Sequence, residues 1–153
     1  MAVNSKYKFY IADSNESGDT SGDVYDLEVD FEGLKYISCE GIDKYGKAKN
    51  IYTETYSDAD RSRVYLPTQV KRESTQITLN LIFVGDNRRF TYNAFCQYIS
   101  KGLKKYWDTA RNRYFVFYTD AEFDTSEESW HSGTPYIKAS FKLNNIYGET
   151  KKL

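Results

Sequence analysis

The chain has 153 residues, 40% of them hydrophobic and 28% charged, which is the ordinary balance of a globular protein with one core. A net charge of −1 argues against a general nucleic-acid-binding protein, because phosphate binding needs a basic surface. Cys39 and Cys96 lie far apart, which argues against a structural disulfide and favours a reducing compartment. No apolar run approaches membrane-spanning length and no apolar signal segment begins the chain, so we expect a protein made in a cytoplasm, with no membrane partner.

The charges are segregated along the chain. Residues 1–60 hold 6 Lys/Arg and 13 Asp/Glu, residues 61–119 hold 11 and 3, and residues 120–153 hold 4 and 6. This distribution has two interpretations. The segments could pair within one molecule, or they could form two complementary surfaces on which copies of the chain stack head to tail.

The first third of the chain predicts strands at Lys6–Ala12, Val24–Glu32 and Leu34–Ser38, with a polar loop at Asp13–Asp23. Val24–Glu32 shows the cleanest alternation of apolar and acidic residues. Side chains alternate across a strand, so four carboxylates are expected in one row: Asp26, Glu28, Asp30 and Glu32. The row is interpreted either as a solvated face matched to basic neighbours such as Lys138 and Lys142, or as a negatively charged wall.

Asp43–Arg63 is long, polar and rich in tyrosine. A segment of this length inside a compact domain is commonly functional or forms a hairpin of its own, so we predict an extended hairpin or arm. Its aromatic and basic side chains are the candidates for contact with a neighbouring subunit: Tyr45, Tyr52, Tyr56, Arg61 and Arg63. The alternative is a surface loop folded over its own core.

The middle of the chain predicts a strand, a helix and a second strand. Gln76–Val84 has the pattern of a central strand, and Gly85-Asp86-Asn87 supplies a turn. Phe90–Trp107 predicts the helix, with Thr91 as its N-cap and lysines near its C-terminal end. Its apolar stripe falls at helical spacing: Tyr92, Phe95, Cys96, Ile99, Leu103 and Tyr106. Asn112–Thr119 predicts the strand that follows.

The last segment predicts an acidic loop at Asp120–Thr134, a strand after Pro135, and a charged tail at Glu149–Leu153. In the strand, Ile137, Ala139, Phe141 and Leu143 are expected to face the core. The whole pattern predicts a mainly β fold, a β-sandwich or half-barrel, with one α-helix packed on its side.

No catalytic or metal-binding motif is present. His131 is the one histidine in the chain, so sites that need two histidines cannot form. The many carboxylate pairs lie in polar loops, where such pairs are common, and no phosphate-binding glycine motif occurs. We therefore expect a protein that is not an enzyme and needs no cofactor or metal. Trp130, His131 and nearby tyrosines suggest an alternative function as a carbohydrate- or surface-binding β module.

The order of elements is similar to that of the tube proteins of tailed bacteriophages and of related secretion-system tubes. The resemblance is carried by the Asp43–Arg63 arm, by the helix at 91–106 after the strand QITLNLIFV, and by the acidic row. The segment from Glu73 to Tyr118 also looks like the N-terminal domain of distal tail proteins, which cap the tube. In this family a β-sandwich or half-barrel with one helix forms hexamer-like rings that stack into a hollow tube with a negative lumen.

The resemblance implies one tail-tube-like domain over residues 1–153, with an extended arm at 43–63. It implies a structural virion protein of the tail, assembled in the bacterial host cytoplasm, whose partners are copies of itself and other tail proteins. Asp26, Glu28, Asp30 and Glu32 would line the lumen, through which DNA passes transiently and without specific binding.

Overall fold

The computed structural model describes residues 9–49 and 71–153, together with the backbone of two short strands at 52–55 and 62–65. In this part of the chain, strands predominate and one α-helix is present. The elements are β1 (Phe9–Ser14), β2 (Thr20–Asp26), β3 (Leu34–Glu40), β4 (Tyr52–Thr55), β5 (Ser62–Tyr65), β6 (Thr75–Val84), α1 (Arg88–Ile99), β7 (Lys104–Asp108), β8 (Arg113–Tyr118), β9 (Asp124–Ser129), β10 (Pro135–Asn145) and β11 (Lys151–Lys152).

Nine of these strands form one antiparallel sheet. Seven follow the order β2-β1-β7-β8-β10-β6-β3, while β9 pairs with β10 and β11 pairs with β8. The helix packs against β6 and β10. The prediction of a mainly β fold with one helix on its side is therefore confirmed.

The centre of the sheet is the pair β6–β10, which is in register from Tyr136 opposite Val84 to Asn145 opposite Thr75. On both strands every second side chain is apolar and buried, as the alternation predicts: Ile77, Leu79, Leu81 and Phe83 on β6, and Ile137, Ala139, Phe141 and Leu143 on β10. The other edge of β10 pairs first with β9 and then, at Asn144 and Asn145, with β8. The change of partner along β10 is where β9 leaves the sheet and β8 joins it.

The sheet curves back on itself. Four strands separate β1 from β3 in the sheet order, yet the rings of Phe9 on β1 and Tyr36 on β3 stack with their centroids 3.9 Å apart. The hydroxyl of Tyr36 also accepts a hydrogen bond from Arg111 Nη1, at 3.4 Å, in the turn between β7 and β8. These contacts join the two ends of the curved sheet, the arrangement expected of a sandwich or half-barrel.

The helix covers the core face of the central strands. Phe95 is fully buried, and its ring lies 5.1 Å from Phe141 and 5.2 Å from Phe31, both in edge-to-face geometry. Ile99 is buried one turn later. The predicted apolar stripe is thus confirmed as far as Ile99. Thr91 was expected to be the N-cap, but it is buried within the first turn, and Asn87 stands at the cap without a side-chain hydrogen bond.

The prediction that the helix reaches Trp107 is wrong. The helix ends at Ile99, Gly102 takes a left-handed backbone with φ of +68°, and β7 begins at Lys104. The alternation of β7 was hidden because two of its three buried residues are charged, Lys104 and Asp108. Lys104 Nζ donates to Asp13 Oδ1 and to the Lys101 carbonyl oxygen, so its charge is neutralised inside the fold and not at a helix end.

The predicted strand at Val24–Glu32 is also wrong beyond Asp26. β2 starts earlier, at Thr20, and the chain turns after Asp26. The turn is held by its own acidic side chains, because Asp26 Oδ1 accepts from the Glu28 N–H at 3.1 Å and Asp30 Oδ2 accepts from the Asp26 N–H at 2.6 Å. Short acidic side chains offer the backbone such local partners and compete with strand pairing.

Three segments expected to be loops or tails contain strands. The polar segment Asp13–Asp23 contains the end of β1 and the start of β2, joined by a turn. The acidic segment Asp120–Thr134 contains β9, and the tail contains β11. The suggested pairing of the acidic row with Lys138 and Lys142 does not occur, because β10 lies between β9 and β6 while β2 has β1 as its neighbour.

Candidate functional site

The arm was predicted at 43–63, but its base is a backbone ladder between residues 47–49 and 71–73, which extends beyond the predicted end at Arg63. Ala48 and Arg72 form an antiparallel bridge, and the N–H of Lys49 donates to the Lys71 carbonyl oxygen at 2.7 Å. Farther out, β4 and β5 pair in register from Tyr52 opposite Tyr65. These two strands form a sheet of their own, and neither packs extensively against another element in the described part of the chain. Residues 52–55 and 62–65 pair as the strands of the predicted hairpin would, because strand-forming threonines, tyrosines and a valine populate both sides; the role of this segment as an arm between subunits stays a prediction.

Two glycines fix the base of the arm to the end of β10. The Gly46 N–H donates to the Gly148 carbonyl oxygen at 2.7 Å. A Cβ at either position would lie against the Glu73 carbonyl oxygen, well inside contact distance, and Gly148 has a φ of +69°. Only glycine allows three backbone segments to approach this closely.

Beside this base lies an open groove of about 760 Å³. Its lining combines four cations, two carboxylates, two tyrosines and two aliphatic side chains: Lys49, Lys71, Arg72, Lys151, Glu16, Glu149, Tyr118, Tyr147, Leu103 and Ile146. These residues come from the base of the arm, the β1–β2 turn, the segment after the helix, β8, the segment after β10, and β11. We call this feature the basic groove.

The cations of the basic groove differ in how far they are neutralised. Arg72 Nε lies 3.3 Å from Glu149 Oε2, and its Nη1 donates to the Gly46 carbonyl oxygen at 3.1 Å. Lys151 Nζ stands 4.9 Å above the ring of Tyr147. Lys49 and Lys71 are exposed and form no ion pair with the described residues. The groove therefore carries a surplus of positive charge.

Tyr147 contributes both an apolar ring and a polar hydroxyl group to the lining of the groove. Its hydroxyl donates to the Glu16 carbonyl oxygen at 2.8 Å, which ties the β1–β2 turn to the end of β10. Burial, followed by the charges of Tyr114 and Asp19, raises the pKa of Tyr147 to about 12. The side chain is therefore neutral at physiological pH and presents a phenol to anything bound in the groove.

The expected contact residues of the arm are placed to different extents. Tyr45 is 67% exposed at the base, with the guanidinium of Arg72 5.0 Å from its ring centre. The backbone of Tyr52 lies in β4 and that of Arg63 in β5, while their side chains lie outside the described residues. Tyr56 and Arg61 lie wholly outside them.

The expected lumen residues form a compact turn, Asp26–Glu32, which we call the acidic turn. Besides the two bonds within it, Glu28 Oε1 accepts from the Tyr36 N–H at 3.2 Å and Glu32 Oε2 accepts from Asn87 Nδ2 at 3.3 Å. None of the four carboxylates has a lysine or arginine within ion-pair distance among the described residues. Val29, between them, is 75% exposed. The acidic turn is thus a negative surface with an apolar tip.

The segregated charges pair within the molecule only in part. Cations of the middle segment meet carboxylates of the last segment and of their own, in the pairs Arg72–Glu149, Arg88–Glu127, Arg89–Glu127 and Arg111–Asp108. From the first third, Asp13 is the one acidic residue of the described chain that has such a partner, Lys104. The other carboxylates of the first third that the structure describes are therefore not neutralised by a described cation.

The aromatic residues of the alternative function sit at the β9–β10 hairpin. The ring of Trp130, 46% exposed, stacks on Tyr136 with centroids 4.3 Å apart. Tyr136 Oη donates to Glu128 Oε2 at 2.7 Å, which lowers the pKa of that carboxyl group and raises the pKa of the phenol. His131 is exposed beside them.

The sequence interpretation missed the basic groove. In the sequence, Lys71 and Arg72 lie between the predicted arm and the predicted strand Gln76–Val84, and Glu149 and Lys151 lie in the predicted charged tail. The signal in the sequence that could have indicated the basic groove is the position of Gly46 and Gly148, because each glycine directly precedes a charged segment.

No protein-family model matches the chain, and no curated protein matches its sequence. No group of three or more potential metal ligands converges among the described residues. In the same part of the chain, the one helix is too short and too polar to cross a membrane.

Proposed function

We propose that the chain is a structural subunit that assembles with copies of itself into a ring, of the tube-like kind found in the tails of bacteriophages. The observation that carries the proposal is the two-stranded ribbon β4–β5, whose strands pair with each other and not with the nine-stranded sheet. A two-stranded ribbon is marginally stable alone, so it gains stability when another molecule covers it. The fold and the resemblance described above supply the tube-like context.

The edges of the sheet indicate how copies would meet. The pairing of β2 with β1 is interrupted between Ala12 and Asp13, opposite Gly22, whose φ is +71°. β3 has a bulge at Ile37. The outer strand β9 is fully exposed and acidic. Bulges and edge charges oppose the addition of a further strand. Contacts through the arm and through side-chain surfaces are therefore favoured over simple edge-to-edge pairing of sheets.

The test is to shorten the arm and leave its base intact. Residues 50–70 are replaced by Asn-Gly, so that a two-residue turn joins Lys49 to Lys71. The full chain is expected to form rings or short tubes in negative-stain images and a multimer in light scattering, and the shortened chain to remain folded by circular dichroism but monomeric. A full chain that is monomeric at high concentration would contradict the proposal, as would a shortened chain that still assembles.

The negative channel is a separate part of the proposal. The acidic residues do not form a strand row, so their place at a lumen stays a prediction that depends on where the acidic turn points in a ring. Glu28→Lys with Asp30→Lys tests it in assembled particles. If the channel is lined by these residues, particles form and the passage of DNA slows, because cations would hold the phosphates.

A second candidate, a carbohydrate- or surface-binding module, is favoured by the exposed stack of Trp130 on Tyr136. Aromatic faces of this kind can pack on the apolar face of a sugar ring. Glycan-array binding that Trp130→Ala abolishes would support it. Tyr45→Ala is the control, because Tyr45 is an aromatic residue that is 67% exposed at the base of the arm and does not belong to this hairpin.

A further inference from the structure

Two surfaces of the molecule are left with opposite, uncompensated charge. The basic groove has Lys49 and Lys71 without ion pairs, and the acidic turn has four carboxylates without cations, in both cases among the described residues. Within the described part of the chain, no residue of the acidic turn lines the groove, and no hydrogen bond or ring contact joins the two. The two surfaces of one molecule therefore do not neutralise each other.

The two surfaces also match in their apolar parts. Val29 is 75% exposed at the tip of the acidic turn. The lining of the groove includes Leu103, Ile146 and the exposed Tyr118 beside its lysines. An exposed aliphatic side chain among carboxylates is therefore matched by apolar side chains among lysines, and interfaces commonly combine apolar and charged contacts in this way.

We infer that the basic groove is the docking site for the acidic turn of a second copy of the chain. The inference rests on the proposed self-assembly and names the partner surface. Because the two patches differ, the contact is heterologous, and each copy offers a groove to one neighbour and a turn to the other. The charges select the orientation of the two copies and speed their association. Val29 and the apolar side chains of the groove exclude water from the contact.

The first experiment is a charge swap. Lys71→Glu and Glu32→Lys are each expected to weaken self-association about tenfold, and an equal mixture or the double variant to recover most of it. Glu32 is chosen because its bond to Asn87 joins two exposed side chains, so the fold does not depend on it. Lys35→Glu and Glu122→Lys are matched controls at exposed positions outside both surfaces, and are expected to associate like the parent chain. Sedimentation velocity over a concentration series measures the effect.

The second experiment is disulfide trapping between copies. A Val29→Cys chain is mixed with a Lys71→Cys chain under mild oxidation, and a covalent dimer is expected. The mixture of Val29→Cys with Lys35→Cys is the control and is expected to give little dimer. The native cysteines interfere little, since Cys39 is buried and Cys96 half-buried.

The outcomes separate the inference from the proposed function. If the parent chain assembles and neither charge reversal nor trapping follows the expected pattern, the docking inference is wrong while self-assembly stands. If no condition yields a multimer, both fail. Binding of a fluorescein-labelled single-stranded oligonucleotide that Lys71→Glu abolishes, with assembly unchanged, would assign the groove to a nucleic acid and overturn the inference. If substitution of the four carboxylates leaves assembly unchanged and alters only the passage of DNA, the acidic turn belongs to the lumen, and the docking inference is wrong.

Discussion

Gly148 offers a direct test of how the arm is attached. Its φ of +69° lies in the region that disfavours a side chain, and a Cβ there would press on the Glu73 carbonyl oxygen and on Arg72 Cβ. Gly102 has nearly the same φ, +68°, but nothing within 4 Å of an added Cβ. Substitution by alanine therefore has the same conformational cost at both glycines, but a steric cost only at Gly148.

The expected costs follow from this difference. Gly102→Ala should lower the free energy of unfolding by about 1–2 kcal/mol, the cost of a left-handed backbone at a non-glycine residue. Gly148→Ala carries the same cost plus overpacking, which adds about 1–3 kcal/mol. Part of the second cost is relieved by moving the chain around Glu73. That movement would break the hydrogen bond between the Gly46 N–H and the Gly148 carbonyl oxygen.

Urea unfolding followed by circular dichroism measures both variants, and hydrogen exchange at the Gly46 amide reports the base of the arm. We expect faster exchange at Gly46 in Gly148→Ala and unchanged exchange in Gly102→Ala. Assembly should fail in Gly148→Ala at concentrations where Gly102→Ala still assembles. Equal loss of stability in the two variants, with equal protection of Gly46, would refute the close approach at the base.

Three further predictions test the fold. Phe95→Ala should cost about 3–5 kcal/mol because its ring is fully buried, whereas Phe90→Ala, 76% exposed on the same helix, should change stability by less than about 0.5 kcal/mol in urea unfolding. Asp108→Ala should cost about 2–4 kcal/mol, since the buried carboxylate accepts from the N–H groups of Ala110 and Arg111 and from Arg111 Nη1; Asp108→Asn should cost less. Tyr147 should contribute a constant amount to stability below about pH 10 and progressively less between about pH 10 and 12, because its phenol ionises first in the unfolded chain; urea unfolding of Tyr147→Phe across this range should show a shallower decline than that of the parent chain.

The elements that the sequence predicted well share one property. In β6 and β10 the buried positions are all apolar, so the period of two is visible without any tertiary information. The same holds for α1 as far as Ile99, where Tyr92, Phe95 and Cys96 follow the helical period. In these segments local pattern and tertiary environment agree.

In the elements that were mispredicted, the residue types do not reveal whether a side chain is buried or exposed. β7 buries Lys104 and Asp108, so its strand pattern resembles a polar helix end, and Leu103 and Tyr106 happen to extend the helical stripe. In Val24–Glu32 the alternation is real in the sequence, but acidic side chains that bond the local backbone turn the chain at Asp26. Both errors depend on hydrogen bonds that composition does not reveal.

The basic groove could not be predicted because its parts are distant in the chain. Glu16, the base of the arm and the end of β10 meet only when β11 pairs with β8 and Tyr147 reaches the β1–β2 turn. The arm, in contrast, was visible as a long polar segment, and its hairpin pairing follows from the strand-forming residues on its two sides.

A heterologous contact between the acidic turn and the basic groove has a geometric consequence for assembly. Repetition of one such contact gives a closed ring if its rotation divides a full turn, and an open helical filament if it does not. Exposed rim charges alone tolerate a range of rotations, since they are screened and weakly directional. The arm can remove this freedom, because its base is held to the body by the close approach of Gly46, Gly148 and Glu73. In this scheme the charged surfaces choose which faces meet and the arm fixes the angle between copies. Loss of the arm should therefore abolish assembly even with the charges intact, whereas charge reversal with the arm intact should weaken association about tenfold without changing the geometry of the particles that form.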